Sequence, residues 1–210
     1  MRKYCSQLAA IAIGVMSFAS TAGAVTLNTG VGSLGGSEAN WILTVSPGST
    51  SLTIVSGAAD YPGAWVAAPA GSNWITPYPN GGTTATDALV GDYAYSLGFA
   101  NPMGSVTIQW SSDNGAQFFL NGSLLNTVGT TSYGTLASFL IPASDFLGSN
   151  TFDVYVNNAD CSGCKNPTGL LVSATIDPAP LPAALPLFAS GLGALGFLGW
   201  RRKRKAQAAA

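Results

Sequence analysis

Histidine is absent from all 210 residues, and charge is scarce, with Asp, Glu, Lys and Arg together making up 8% of the chain. Without histidine there is no Ser-His-Asp triad, no Cys-His pair and no histidine-bearing zinc site. Glutamate occurs once, as Glu38. Glycoside hydrolysis needs two carboxylates flanking the scissile bond. No spacing of Glu38 against an aspartate singles out such a pair, so we expect no enzyme. Between the two ends of the chain there is also no block of apolar residues at helical spacing longer than about two turns, which argues against a helical core.

The charges that are present are sorted by position. Of eight Lys and Arg, Arg2 and Lys3 open the chain and five lie near its end, leaving only Lys165 between. All nine acids fall in the middle, so residues 25–177 carry nine negative charges against one lysine, a net charge of −8. Such a surface repels nucleic acid and anionic lipid and keeps the chain soluble, and it can attract divalent cations. Simple solubility is the plainer reading of it.

Both ends read as addresses. Arg2 and Lys3 precede an apolar stretch at residues 8–18, and Ala22-Gly23-Ala24 supplies small residues where a signal peptidase cuts. Residues 1–24 are therefore predicted to be a cleaved signal peptide that takes Cys5 with it. At the other end, residues 181–200 contain no charged side chain, and Arg201, Arg202, Lys203, Arg204 and Lys205 follow at once. A helix of that length, at ~1.5 Å per residue, matches a bilayer's hydrocarbon core of ~30 Å, and the cations would stay on the cytoplasmic side. A plain tail anchor is the simpler reading. Pro180, Leu181, Pro182 and Ala183, then the glycine-rich apolar run, then the basic cluster, form an order that resembles the PEP-CTERM sorting signal of Gram-negative bacteria in its Pro-Leu-Pro-Ala variant. The resemblance implies a temporary transmembrane anchor in residues 178–210, an exosortase-type membrane protease as partner, and final residence at the cell surface or in the extracellular matrix.

The middle, residues 25–177, is long enough for one domain with a continuous core. Short runs rich in Val, Ile, Thr and aromatics recur between turn signals, at 41–45, 51–55, 93–99, 106–110, 117–120, 139–141, 152–156 and 170–176. Alternation in 152–156 puts Phe152, Val154 and Val156 on one face, and Asn121-Gly122 has the chemistry of a tight hairpin turn. Eight or so such strands predict an all-β antiparallel sandwich, a jelly roll. Residues 61–82 read as a Pro- and Gly-rich loop. Asn40-Trp41, Trp74-Ile75-Thr76-Pro77, Gly91-Asp92-Tyr93, Trp110-Ser111-Ser112-Asp113-Asn114, Leu120-Asn121-Gly122, Gly148-Ser149-Asn150-Thr151 and Asn166-Pro167-Thr168-Gly169-Leu170 follow in order. The series resembles the galactose-binding-domain-like β-sandwich over residues 38–177. That fold serves carbohydrate-binding modules and ligand-free accessory domains alike, so it does not settle function. Sandwiches of this kind often carry a structural ion near their first and last strands. Glu38 and Asp177 are the candidates for calcium, which suits hard oxygen ligands; no other cofactor is expected.

Three aromatics, Trp65, Trp74 and Tyr78, fall in the 61–82 loop and are the candidate ligand contacts, because loop aromatics can stack on sugar rings. Packing is the stronger reading for Trp65 and Trp74, and Tyr78 is the better candidate for an exposed contact. Cys161 and Cys164 are the only cysteines left after signal cleavage, and in an oxidising compartment so close a pair is expected to form a structural disulfide. A redox role would need a helix start in a βαβ context. Gly191-Leu192-Gly193-Ala194-Leu195-Gly196 matches a dinucleotide fingerprint, but with no strand before it the match is accidental. Glycines there suit close approach by another helix. The functional expectation is an exported, non-catalytic protein whose sandwich engages extracellular polysaccharide. A structural or adhesive surface body with no sugar site is the alternative.

Overall fold

The structure, a computed structural model, describes residues 26–48, 52–57, 65–78, 88–102, 104–127, 133–160, 162, 166–178, 188, 190–193 and 195–196. The expected signal peptide, the cysteines Cys161 and Cys164, the sorting residues Pro180, Leu181, Pro182 and Ala183, and the cluster at 201–205 lie outside the described residues. Those described near the tail, Phe188, 190–193 and 195–196, are helical and exposed. Among the described residues no helix is long and apolar enough to cross a membrane.

Among the described residues ten strands carry the fold: β1 (Ile42–Val45), β2 (Ile54–Ser56), β3 (Trp74–Thr76), β4 (Gly91–Ala100), β5 (Gly104–Asp113), β6 (Gly115–Leu120), β7 (Ser123–Thr127), β8 (Ala137–Ile141), β9 (Ser149–Asn158) and β10 (Gly169–Pro178). They form two five-stranded antiparallel sheets, a front sheet ordered β1-β4-β9-β6-β7 and a back sheet ordered β2-β3-β10-β5-β8. The two-sheet, all-β architecture is the one that the alternating runs predict. Trp74–Thr76 corrects the reading of 61–82 as loop throughout, because it pairs with β2 along its length. Three residues are too few to show a period, and Pro77 just beyond them reads as loop punctuation.

Alternation sets which side chains meet between the sheets. Phe152, Val154, Val156 and Asn158 of β9 are buried, with Thr151, Tyr155 and Asn157 exposed and Asp153 half-buried between them. Phe118 sits at the centre of the aromatic packing, 4.7 Å from Trp110, 5.3 Å from Phe139 and 6.0 Å from Phe152, measured between ring centroids. Trp41 joins through Phe152 at 5.9 Å. Burying each such ring contributes about 1.5–3 kcal/mol. The hairpin β6–β7 turns at Asn121 (φ 51°) and Gly122 (φ 80°), both left-handed, as the Asn-Gly pair predicts.

The back sheet has a gap that the N-terminal segment fills. β3 pairs with β10 only at Leu170 and Ile75. Beyond that point Thr29 inserts between them. Its amide donates to Val172 O, its hydroxyl accepts from Val172 N, and its carbonyl accepts from Asn73 N, all at 2.9 Å. Asn28 Oδ1 takes the amide of Ala174 at 2.7 Å. Gly30 lets the chain pass: at φ +68°, an added Cβ would stand 2.5 Å from Asn73 Cβ and 2.6 Å from its carbonyl oxygen. Gly30→Ala is thus expected to combine left-handed strain of ~1–2 kcal/mol with displaced hydrogen bonds of ~1 kcal/mol each. Thermal unfolding should drop by roughly 6–12 °C at ~2–4 °C per kcal/mol for a domain of this size. Gly122→Ala, whose Cβ would meet nothing within 4 Å, should fall by only a few degrees. Equal melting temperatures for the two variants would contradict the insertion.

Candidate functional site

The register of the front sheet fixes its outer face row by row. Asp153 of β9 lies opposite Ser96 of β4 and Phe119 of β6, and Phe119 lies opposite Leu124 of β7. In the next row Tyr155 lies between Ala94 and Gln117, and in the one after it Asn157 lies between Asp92 and Gly115. Beyond Asp92, β4 gives this face small side chains beside β9: Ala94, which is buried, then Ser96 and Gly98. An added Cβ on Gly98 would meet nothing within 4 Å, so that part of the face is open. The result is a floor of small residues beside two raised aromatic rings.

Those rings are Tyr155, 41% exposed, and Phe119, half-buried, whose centroids lie 5.4 Å apart at 73°. Edge-to-face packing leaves the tyrosine anchored by its neighbour, and a strand backbone fixes where it stands. Polar groups bracket it along β9. Ser96 Oγ donates to Asp153 Oδ1 at 2.6 Å, and Asn157 Nδ2 donates to Asp92 Oδ1 at 2.7 Å. Gln117 is exposed beside it. An exposed aromatic flanked by carboxylate and amide groups can stack on an apolar ring face and hydrogen-bond to its hydroxyls.

On the back sheet the outer face is covered around Leu171, while Gln109, Ser138, Leu140 and Thr175 farther along it are exposed. Trp65 and Trp74 stack at 4.3 Å and 25° over Leu171. Trp65 Nε1 donates to Asp113 Oδ2 at 2.8 Å and Trp74 Nε1 to Val66 O at 3.0 Å. Both tryptophans are buried, so their rings serve as packing for the 65–73 segment. Gly169 makes room for them, since a Cβ there would stand 2.7 Å from Trp65 Cη2. Tyr78, expected as an exposed contact, is half-buried against the main core. Its hydroxyl lies 2.9 Å from that of Tyr93, which donates onward to Leu89 O at 3.0 Å. Burial, and then this contact with Tyr78, hold the Tyr93 hydroxyl well above the usual tyrosine range.

Glu38 and Asp177 are not brought together. Glu38 Oε2 accepts from Val31 N and Oε1 from Asn40 N, each at 2.9 Å, so both oxygens brace the loop before β1. Asp177 lies exposed opposite Ser105, whereas Glu38 sits beside Thr53 at the other end of the sheet. Leu170, level with Val55 through Ile75, lies seven residues before Asp177, so at ~3.3 Å per residue β10 carries Asp177 more than roughly 20 Å from Glu38's end. Among the described residues no group of three acidic or cysteine side chains could hold a metal ion.

Two other places collect polar groups. A hollow of about 500 Å³ is lined by Leu120, Asn121, Ser123, Leu125, Asp145 and Leu147. Its amides are engaged in bracing: Asn121 Nδ2 donates to Asn150 Oδ1 at 3.0 Å, and Asn150 Nδ2 donates to Leu147 O at 2.9 Å. The second place is the β5–β6 corner. There Asn114 Nδ2 donates to Asp113 Oδ1 at 2.8 Å and Thr168 Oγ1 to Asp113 O at 2.7 Å. Asn158, fully buried nearby, donates to the carbonyls of Ala88 and Leu89 and leaves its own Oδ1 unpartnered.

Sequence reasoning passed over Tyr155 and Phe119. Placing Phe152, Val154 and Val156 inward already put Tyr155 outward, and that was the signal available.

No family model and no curated protein matches the chain. Solved structures give distant likenesses only. A family 35 carbohydrate binding module from an environmental isolate aligns at 19% identity and a TM-score of 0.28, covering 67% of this chain and 98% of that one. An FMN-binding β-glucuronidase from Facaelibacterium prausnitzii aligns at 15% and 0.37, over 70% of this chain and 22% of the enzyme. A β-glucosidase from Kluyveromyces marxianus in complex with glucose aligns at 8% and 0.32, over 54% and 12%. The chain thus spans about an eighth to a fifth of those two enzymes.

Asp113 gives a pH dependence with a defined sign. Burial pushes its carboxyl up to about 6, and the Trp65 hydrogen bond opposes that rise. A carboxyl that is harder to ionise in the folded state favours folding at low pH. That advantage is complete below about 4, the ordinary value, and is lost as pH rises through about 6. The swing is roughly 2–3 kcal/mol. Melting temperature should therefore fall between mildly acidic and neutral pH, and Asp113→Asn, which still accepts from Trp65, should fall less. Parallel pH profiles for the two proteins would contradict it.

Proposed function

We propose that the sandwich is a non-catalytic module that binds an extended polysaccharide across the outer face of the front sheet. The observation that carries this is the Tyr155–Phe119 pair, raised on a regular strand above small neighbours and bracketed by Asp153, Gln117 and the Asp92–Asn157 pair. Aromatic rings cover the apolar faces of sugars while side-chain oxygens and amides meet the hydroxyls. Strand residues lose little freedom on binding, so most of the contact energy appears as affinity. A chain laid along the sheet has an open path over Gly98, whereas on the back sheet Trp65 and Trp74 cover the outer face around Leu171.

In this reading the module belongs to a protein exported through the inner membrane and held for a time by its C-terminal helix. An exosortase-type protease then acts on its sorting tail, and it is released to the cell surface or matrix. The charge order of the two ends supports that route. So do the exposed side chains of Phe188, Leu192 and Leu195, apolar groups on a helix with no cover from the sandwich.

Two measurements test the proposal. On a glycan array, the full-length protein in detergent should bind polysaccharide, and Tyr155→Ala should weaken binding by about 2 kcal/mol, some thirtyfold, as loss of an anchoring aromatic does. Its melting temperature should fall by only a few degrees, for the lost edge-to-face contact with Phe119 at ~2–4 °C per kcal/mol. A blank array would leave the sandwich as a structural or adhesive body. Intact-mass analysis of the exported protein should find Trp200 and residues 201–205 removed; their retention would mean a permanent anchor.

A further inference from the structure

We infer that the polysaccharide taken by the front-sheet face carries free amino groups, a polymer of hexosamines; this rests on reading that face as the binding surface. The ring of Tyr155 stands between two carboxylates on the same side of the sheet. Asp153 precedes it by two residues along β9, and Asp92 pairs with Asn157, two residues after it. Period-two geometry sets each neighbouring position roughly 7 Å from the tyrosine along the strand.

Among the described residues no cation pairs with either carboxylate. Asp153 Oδ1 accepts from the Ser96 hydroxyl and Asp92 Oδ1 from the Asn157 amide, both neutral donors. These contacts fix the two groups in place through neutral donors. No lysine or arginine other than Lys165 occurs between residues 25 and 177. A uronate or sulfated polymer would therefore meet two fixed negative charges, and the field of a domain at −8 would oppose its approach. A neutral polymer could bond to the carboxylates through hydroxyls alone. An ammonium group makes charge-assisted hydrogen bonds about twice as strong, and it is attracted to the face of the same exposed tyrosine. A regularly repeating amine along the glycan would engage both carboxylates across one aromatic platform.

The test compares oligomers of equal length on the full-length protein in detergent, at mildly acidic pH where the amines are charged. The probes are glucosamine oligomers, their N-acetylated counterparts, alginate oligomers and oligolysine. Glucosamine oligomers should bind about tenfold more tightly than the acetylated form, and added salt should shrink the gap. Asp153→Asn, which still accepts from Ser96, should narrow that gap by weakening the glucosamine oligomer more than the acetylated one, without changing the melting temperature. Tyr155→Ala should weaken binding of both by about thirtyfold. Equal affinity for amino and acetylated forms, or tightest binding of alginate, would overturn the ligand class while leaving the face as the glycan surface. Oligolysine binding as tightly as the glucosamine oligomer would show that the face reads charge alone and would also overturn it. No glycan bound at all would overturn the face itself.

Discussion

The two sheets are held together by aromatic rings, and the remaining features depend on that contact. Phe118 touches Trp110 across the sandwich and Phe152 in its own sheet, while Trp41 closes the cluster from near the first strand. Few charges are available to pair, so the fold rests on apolar burial, which is strong but non-directional. Direction comes from the strands. Because β6 places Phe118 inward, the next residue, Phe119, must point outward, and the same logic turns Tyr155 out beside the inward Val154 and Val156. The interior and the exposed aromatic pair are two consequences of one alternation.

The polar groups divide between bracing and availability. Asn121, Asn150, Asn114 and Glu38 spend their hydrogen bonds on turns and loop ends, where unpaired backbone groups would otherwise be buried. Tyr95 and Trp110 show what the aromatic interior costs: the hydroxyl of one and the Nε1 of the other are buried without a hydrogen-bond partner. Such groups forfeit about 1–3 kcal/mol each. The outer face of the front sheet is different, since its exposed side chains face solvent from a rigid frame that is stabilised elsewhere.

How much of this could be read from the sequence depended on length of pattern. The long strands β4, β5, β9 and β10 coincide with apolar runs, and the Asn121-Gly122 turn follows from residue chemistry alone. The register of Thr29 against Val172 has no local signature, because its partners lie far away in the chain. The same holds for β3, a three-residue strand inside a Pro- and Gly-rich stretch. For the site, the preference for packing at Trp65 and Trp74 agrees with their stacked, buried rings, whereas Tyr78, the favoured exposed contact, is half-buried against the core. Tyr155 lay in a run whose apolar content suggested core, although the position of its neighbours already assigned it to the surface.

The insertion of Thr29 beside β10 also says when the domain can fold. β10 pairs along its whole length with β5, is the central strand of the back sheet and is the last of the ten. Thr29, among the first described residues, finds its partner Val172 only 143 positions later. Contacts so distant in sequence are slow to form, since the loop must be closed before they can reward it. A ribosome that has released everything but β10 has therefore released a chain whose back sheet lacks its middle. Closure of the back sheet is thus an event that must wait for almost the whole domain to be made.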